Sequence, residues 1–114
     1  MATKNKISYE IDDIVSILKE TNAEKIFLFG SCATDACDEN SDIDLLVVMP
    51  SKEPPLKRRL ALRRLLKRYD QQYGLDLLVY TPEEFKLLKN DPSSFIYSTL
   101  KNGIRLYDTD TEAV

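Results

Sequence analysis

A chain of 114 residues is about one domain's worth and buries roughly 65% of the surface its unfolded form exposes, so a single modest core is expected. With 43% hydrophobic and 31% charged residues, composition excludes a disordered chain, and no apolar run approaches the roughly 18 residues of a membrane-spanning helix. A net charge of −3 does not advertise nucleic-acid binding, and the absence of histidine removes Ser-His-Asp and Cys-His nucleophile schemes and most zinc sites.

From Ser8 to about Asn22 the apolar residues Ile11, Ile14, Val15 and Leu18 recur at the spacing of an amphipathic helix, with Ser8 as its cap. Lys25 to Phe29 reads as a short buried strand that stops at Gly30, and a turn or short helix is expected between Ser31 and Ser41. Asp42 to Met49 is a second strand, rich in aliphatic and β-branched residues and closed by Pro50. Pro54-Pro55 opens one long helix to about Tyr73, with Leu56, Leu60, Leu62, Leu65, Leu66 and Tyr69 as its apolar face and Gly74 as its stop.

A third strand spans Leu75 to Tyr80. Thr81-Pro82-Glu83-Glu84 carries the pattern of a capped helix start, with Thr81 as cap and Glu84 completing a capping box, and that helix ends near Asn90. Another runs from Asp91-Pro92-Ser93-Ser94 through Leu100 to Gly103, before a last short strand, Ile104 to Tyr107. The order α-β-(short α)-β-α-β-α-α-β, without repeat or linker, indicates one α/β domain spanning 1–114, a small sheet flanked by helices.

With no histidine, catalysis must run on carboxylates, metal ions, hydroxyls or basic groups. Asp42 and Asp44 are two apart on a strand, so both carboxylates project from one face, roughly 6 to 7 Å apart. At an effective dielectric near 20 such a pair repels by roughly 2 kcal/mol, and a divalent cation reverses the sign. Carboxylates are suitable ligands for Mg²⁺, which commonly bridges protein acids to substrate phosphates, and a two-ion arrangement would activate an attacking hydroxyl while neutralising a triphosphate. Asp76, near the start of the third strand, is the expected third acid. Gly30-Ser31 offers the other half of such a site: a glycine at a strand end lets backbone amides approach phosphate oxygens, and the serine hydroxyl adds a hydrogen bond.

Gly30-Ser31, then Ser41-Asp42-Ile43-Asp44-Leu45, then Asp76 resembles the minimal nucleotidyltransferases of the DNA polymerase β superfamily. The stretches Leu75 to Phe85 and Ser94 to Tyr107 are also similar to that family's later segments. The resemblance implies a polymerase-β-like fold with a small mixed sheet, metal binding by Asp42, Asp44 and Asp76, and activation of the acceptor hydroxyl by Asp76. It implies nucleotide contacts from Gly30, Ser31 and Ser41, ATP as substrate with Mg²⁺, and transfer of AMP to a macromolecular hydroxyl. Such small domains often serve as the antitoxin of a HEPN/MNT toxin-antitoxin module, modifying a tyrosine of the helical HEPN toxin; the polar stretch Met1 to Ser8, without a signal-peptide hydrophobic region, sets the cytoplasm as the expected compartment.

Many members continue Gly-Ser with x-Ala-Arg-Gly, whereas this chain has Cys32-Ala33-Thr34-Asp35, a departure that leaves open a second class of function. That alternative is a catalytically weak binding module which neutralises a helical partner by occlusion. A free-standing antibiotic nucleotidyltransferase normally adds a second domain that this length does not hold. Cys32 and Cys37 are expected as reduced, incidental residues. The basic run Lys57-Arg58-Arg59, Arg63-Arg64 and Lys67-Arg68 is expected to be the wet face of a helix more than an RNA site.

Overall fold

The four apolar runs pair into one mixed sheet of order β3-β2-β1-β4, made of β1 (Lys25–Phe29), β2 (Ile43–Val48), β3 (Leu75–Tyr80) and β4 (Ile104–Asp108). The structure is a computed structural model and describes residues 6–34, 37, 38 and 40–112. β1 runs antiparallel to β2 and to β4, while β2 and β3 are parallel and therefore need a crossover. The crossover is helical, α2 (Pro55–Leu65) followed by α3 (Lys67–Tyr73); α1 (Lys6–Lys19), α4 (Pro82–Leu88), α5 (Phe95–Asn102) and a short α6 (Thr109–Glu112) complete the fold.

Period-two alternation sends the strand residues to two unequal cores. Ile26, Leu28, Ile43, Leu45, Val47, Leu75, Leu77 and Val79 meet Ile7, Ile11, Ile14 and Leu18 of α1 and Leu62, Leu66, Tyr69 and Tyr73 of the crossover. Among the described residues, the other face buries Phe27, Leu46 and Val48 against Phe85 of α4 and Ile96 of α5, with Phe29, Tyr80 and Leu88 partly buried beside them. Phe27 and Phe85 stack at 6.0 Å between ring centroids. Full burial of each of these aliphatic or aromatic side chains contributes about 1.5–3 kcal/mol, so the first core dominates stability and the second face remains partly open.

Several expectations need correction. α1 starts two residues before Ser8, which lies inside the helix, because Ile7 belongs to the buried stripe. The single long helix of the crossover is two helices, broken at Leu66 (φ −103°, ψ 23°). Leu62, Leu66, Tyr69 and Tyr73, spaced i, i+4, i+7 and i+11, form the buried stripe, whereas Leu56, Leu60 and Leu65 are exposed. Cys32 and Cys37 are joined by a disulfide, since the turn after β1 folds the chain back and brings their Cα atoms to 4.2 Å. The capping box of α4 is present as expected: Thr81 Oγ1 accepts from Glu84 N–H at 3.2 Å and Thr81 N–H donates to Glu84 Oε1 at 2.9 Å.

Much of the basic run is engaged in the fold. Arg58, its side chain only 8% exposed, holds Glu84 at 2.7 Å and donates to the Val79 carbonyl. Arg63 reaches Asp70 and the Leu75 carbonyl, Arg68 reaches Glu10, and Lys57 reaches Glu53. No helix of the described residues is long and apolar enough to cross a membrane.

Candidate functional site

The site forms where the sparsely covered sheet face runs out of helix. In the β1–β2 pair Phe29 stands opposite Asp44, and in the β2–β3 pair Asp44 stands opposite Asp76. Residues directly opposite share a face, so Phe29, Asp44 and Asp76 form a row across three strands, one step beyond the apolar residues Phe27, Leu46 and Leu78. Asp42 precedes β2, which starts at Ile43, and both it and Asp76 are exposed while Asp44 is partly buried.

The electrostatics of this row disfavour the charged form of Asp44. The Asp44 carboxyl is pushed up to about 6, first by burial, then by the charge on Asp76, then by that on Asp42. Nothing among the described residues offsets these three effects on Asp44. A structure that retains two further acids acting on one part-buried carboxylate is compatible with a ligand that reverses the repulsion. The described residues contain no closed group of three acidic, cysteine or histidine ligands. Mg²⁺ does not require one: it keeps several waters and is commonly held by one or two carboxylates plus substrate phosphates. The donor set at Asp42, Asp44 and Asp76 therefore fits such an ion.

Two glycines shape the row, and each is needed for two reasons. Gly30 and Gly74 adopt φ +72° and +74°, the left-handed region that costs an L side chain roughly 1–2 kcal/mol. A Cβ on Gly30 would also collide with Oδ2 of Asp44, and one on Gly74 would stand 2.8 Å from Oδ1 of Asp42. Gly74, whose carbonyl also accepts from Ile43 N–H at 3.0 Å, appeared in the sequence only as a helix stop. Its close approach to Asp42 arises from the parallel pairing of β2 and β3, which no local pattern announces.

The turn after β1 is a single 3₁₀ turn, Gly30–Ala33, too short to bring the field of a full helix to bear on an anion. Ser31 is exposed at its start, beside Gly30. Thr34 closes the turn: its N–H and its hydroxyl both donate to the Ser31 carbonyl, at 3.0 and 2.8 Å. At the position where many relatives place an arginine there is thus a capping side chain. Asp35 lies outside the described residues. Ser41 accepts from Asp38 N–H at 3.1 Å and donates to the Asp38 carboxylate at 3.3 Å, so its hydroxyl ties the turn that leads into β2. Cys32 lies against the main chain of the same site, its Sγ 3.5 Å from the Asp42 carbonyl.

Two cavities open along the same strands, one at β1 and one at β3. One of about 300 Å³ opens next to Gly30, between β1 and α5. Another of about 450 Å³, lined by Leu56, Arg59, Leu78 and Leu88 among others, opens along β3 beyond Asp76.

Comparison with known proteins identifies the family and the fold. The sequence pattern of the family described as polymerase beta, nucleotidyltransferase, matches residues 12–112. A protein of Methanocaldococcus jannaschii, named as a candidate protein adenylyltransferase, is 33% identical over 94 residues, covering 82% of this chain and 88% of that one. Among solved structures, a toxin-antitoxin with AMP-PNP superposes with a TM-score of 0.61 at 21% identity, over 89% of this chain and 75% of that one. A candidate nucleotidyltransferase of Sulfolobus solfataricus gives 0.55 at 19% identity, over 96% and 95%. A tri-AMPylated Shewanella oneidensis HEPN toxin in complex with MNT antitoxin gives 0.53 at 19% identity, over 90% and 72%. At these identities the solved structures establish the shared fold.

Proposed function

The chain belongs to the polymerase beta nucleotidyltransferase family, and from that premise we propose that it transfers AMP from Mg-ATP to a tyrosine hydroxyl of a partner protein, acting as antitoxin to a HEPN-type toxin in the cytoplasm. The observation that carries this reading is the register setting Asp44 beside Asp76 on the open sheet face, with Gly30 against the Asp44 carboxylate. Asp42 and Asp44 would hold the metal, with Asp76 contributing; when bound there, Mg²⁺ supplies neutralisation of phosphate charge and acidification of the incoming hydroxyl.

The chain's own residues do the rest by positioning. Gly30 keeps the space above Asp44 clear for the α-phosphate, and Ser31 offers a hydroxyl to the phosphates that follow. Asp76, exposed on the β3 side, receives the proton of the tyrosine hydroxyl. The phenolic oxygen then forms a bond to the α-phosphorus, the bond from that phosphorus to the bridging oxygen breaks, and pyrophosphate departs with the electron pair. The M. jannaschii relative, named as a candidate protein adenylyltransferase, and the Shewanella antitoxin in complex with an AMPylated toxin support this choice of reaction and partner.

Thr34 favours a second reading, in which the fold neutralises its partner by binding alone, because its hydroxyl closes the turn where a relative's arginine would supply charge. Incubating the protein with Mg²⁺, ATP labelled at the α-phosphate and the product of the neighbouring gene separates the two. The transfer reading expects label on a tyrosine of the partner, abolished by Asp44→Asn with Asp76→Asn; tight binding without label in the wild type leaves occlusion as the function.

A further inference from the structure

The cavity of about 300 Å³ beside Gly30 is not used by the phosphate and metal chemistry above. It is lined by Phe29, Gly30, Phe95, Ser98, Thr99 and Asn102, among others, so beyond the glycine turn it offers a ligand aromatic, hydroxyl and amide groups and, among the described residues, no cation. Four of these residues are one stripe of α5, at i, i+3, i+4 and i+7, which places their side chains on a single helix face. Phe95 is 44% exposed although it meets Phe29 edge-on at 5.0 Å, leaving much of an aromatic ring open at the cavity. Ser98 and Asn102 are exposed, and the buried hydroxyl of Thr99 has no hydrogen-bond partner among the described residues.

We propose that this cavity binds the nucleoside end of the triphosphate, with the base against Phe95 and Asn102 reading its edge. The proposal rests on the nucleotidyltransferase reading and adds to it the residues that choose the nucleotide. Position supports it: along the order β3-β2-β1, Asp76 and the cavity lie on opposite flanks of Asp44, so a nucleoside here leaves the Asp76 side free for the acceptor. Chemistry identifies the base class. An aromatic face stacks on any base, whereas a carboxamide offers a donor and an acceptor together, the pairing that matches the N7 and amino group of adenine. Guanine presents two acceptors on that edge and is matched less well.

The test compares ATP, GTP and inorganic tripolyphosphate, each with Mg²⁺, by calorimetric titration of the wild type, Asn102→Leu and Phe95→Ala, with melting curves to monitor the fold. Asn102 is exposed near the end of α5, so Asn102→Leu keeps the test valid if Phe95→Ala fails to fold. The expected result is about a tenfold loss of ATP affinity in each folded variant, loss of the preference for ATP over GTP in Asn102→Leu, and unchanged tripolyphosphate binding. Wild-type affinity for ATP retained in Asn102→Leu, or parallel weakening of ATP and tripolyphosphate, overturns the base pocket while leaving the transferase reading intact. A wild type that binds tripolyphosphate as tightly as ATP also overturns it. A wild type that binds neither overturns this inference and the transferase reading together.

Discussion

At the scale of single residues, the candidate site sets a part-buried carboxylate beside two other acids and a glycine with positive φ. Asp44 keeps a carboxyl pushed up to about 6 by burial and by its acidic neighbours, and a folded value above the unfolded 3.8 means that its charge opposes folding at neutral pH and above. Asp44→Asn therefore raises the metal-free stability at pH 8, on the order of 1–2 kcal/mol, and removes the rise in Tm that Mg²⁺ or Mn²⁺ gives the wild type. Thermal melts with and without metal check both halves; an unchanged or lower metal-free Tm in the variant contradicts the electrostatic account. Gly30→Ala meets both a left-handed φ and the Asp44 carboxylate, so it is expected to cost about 1–3 kcal/mol and to abolish nucleotide transfer. These residues were legible as candidates because glycine at a strand end and acids two apart are local signals. Thr34 as a cap and the Cys32–Cys37 bond were not, because both depend on how the loop folds back.

At the scale of elements, strands and caps were easier to read than the crossover. The capping box of Thr81 and Glu84 lies within four residues and appears as expected. The leucines between 56 and 66 satisfy two competing helical stripes, and only the sheet's surface selects the one running 62, 66, 69, 73. Leu66→Ala, at a fully buried hinge, is expected to lose about 2–5 kcal/mol in urea denaturation, whereas Leu56→Ala on the exposed stripe stays within about 0.5 kcal/mol. The bond between Arg58 and Glu84 joins the crossover to α4 and holds the Glu84 carboxyl below its usual 4.5, first through the Arg58 hydrogen bond. A depressed carboxylate stabilises the fold above its unfolded pKa, and that contribution fades as pH falls through the folded value. Glu84→Gln should accordingly be less stable than wild type at pH 7, with the gap closing below pH 4.5; a gap independent of pH assigns Glu84 to packing or capping alone.

At the scale of the molecule, the fold class followed from the order of elements, but the sheet order did not. Nothing local states that β1 lies between β2 and β4, or that a parallel β2–β3 pair aligns Asp44 with Asp76. Those long-range pairings divide the protein into a thick core that carries stability and an open face that carries three acids. Such a face is the one proposed for metal and phosphate binding, with the acceptor brought by a folded partner. Titrating a non-hydrolysable ATP analogue into the wild type, Asp42→Asn and Asp44→Asn, with Mg²⁺ and with EDTA, tests whether that face is the nucleotide site. The account predicts metal-dependent binding in the wild type and at least about a tenfold loss in each folded variant; binding that is equally tight in EDTA and in both variants contradicts it.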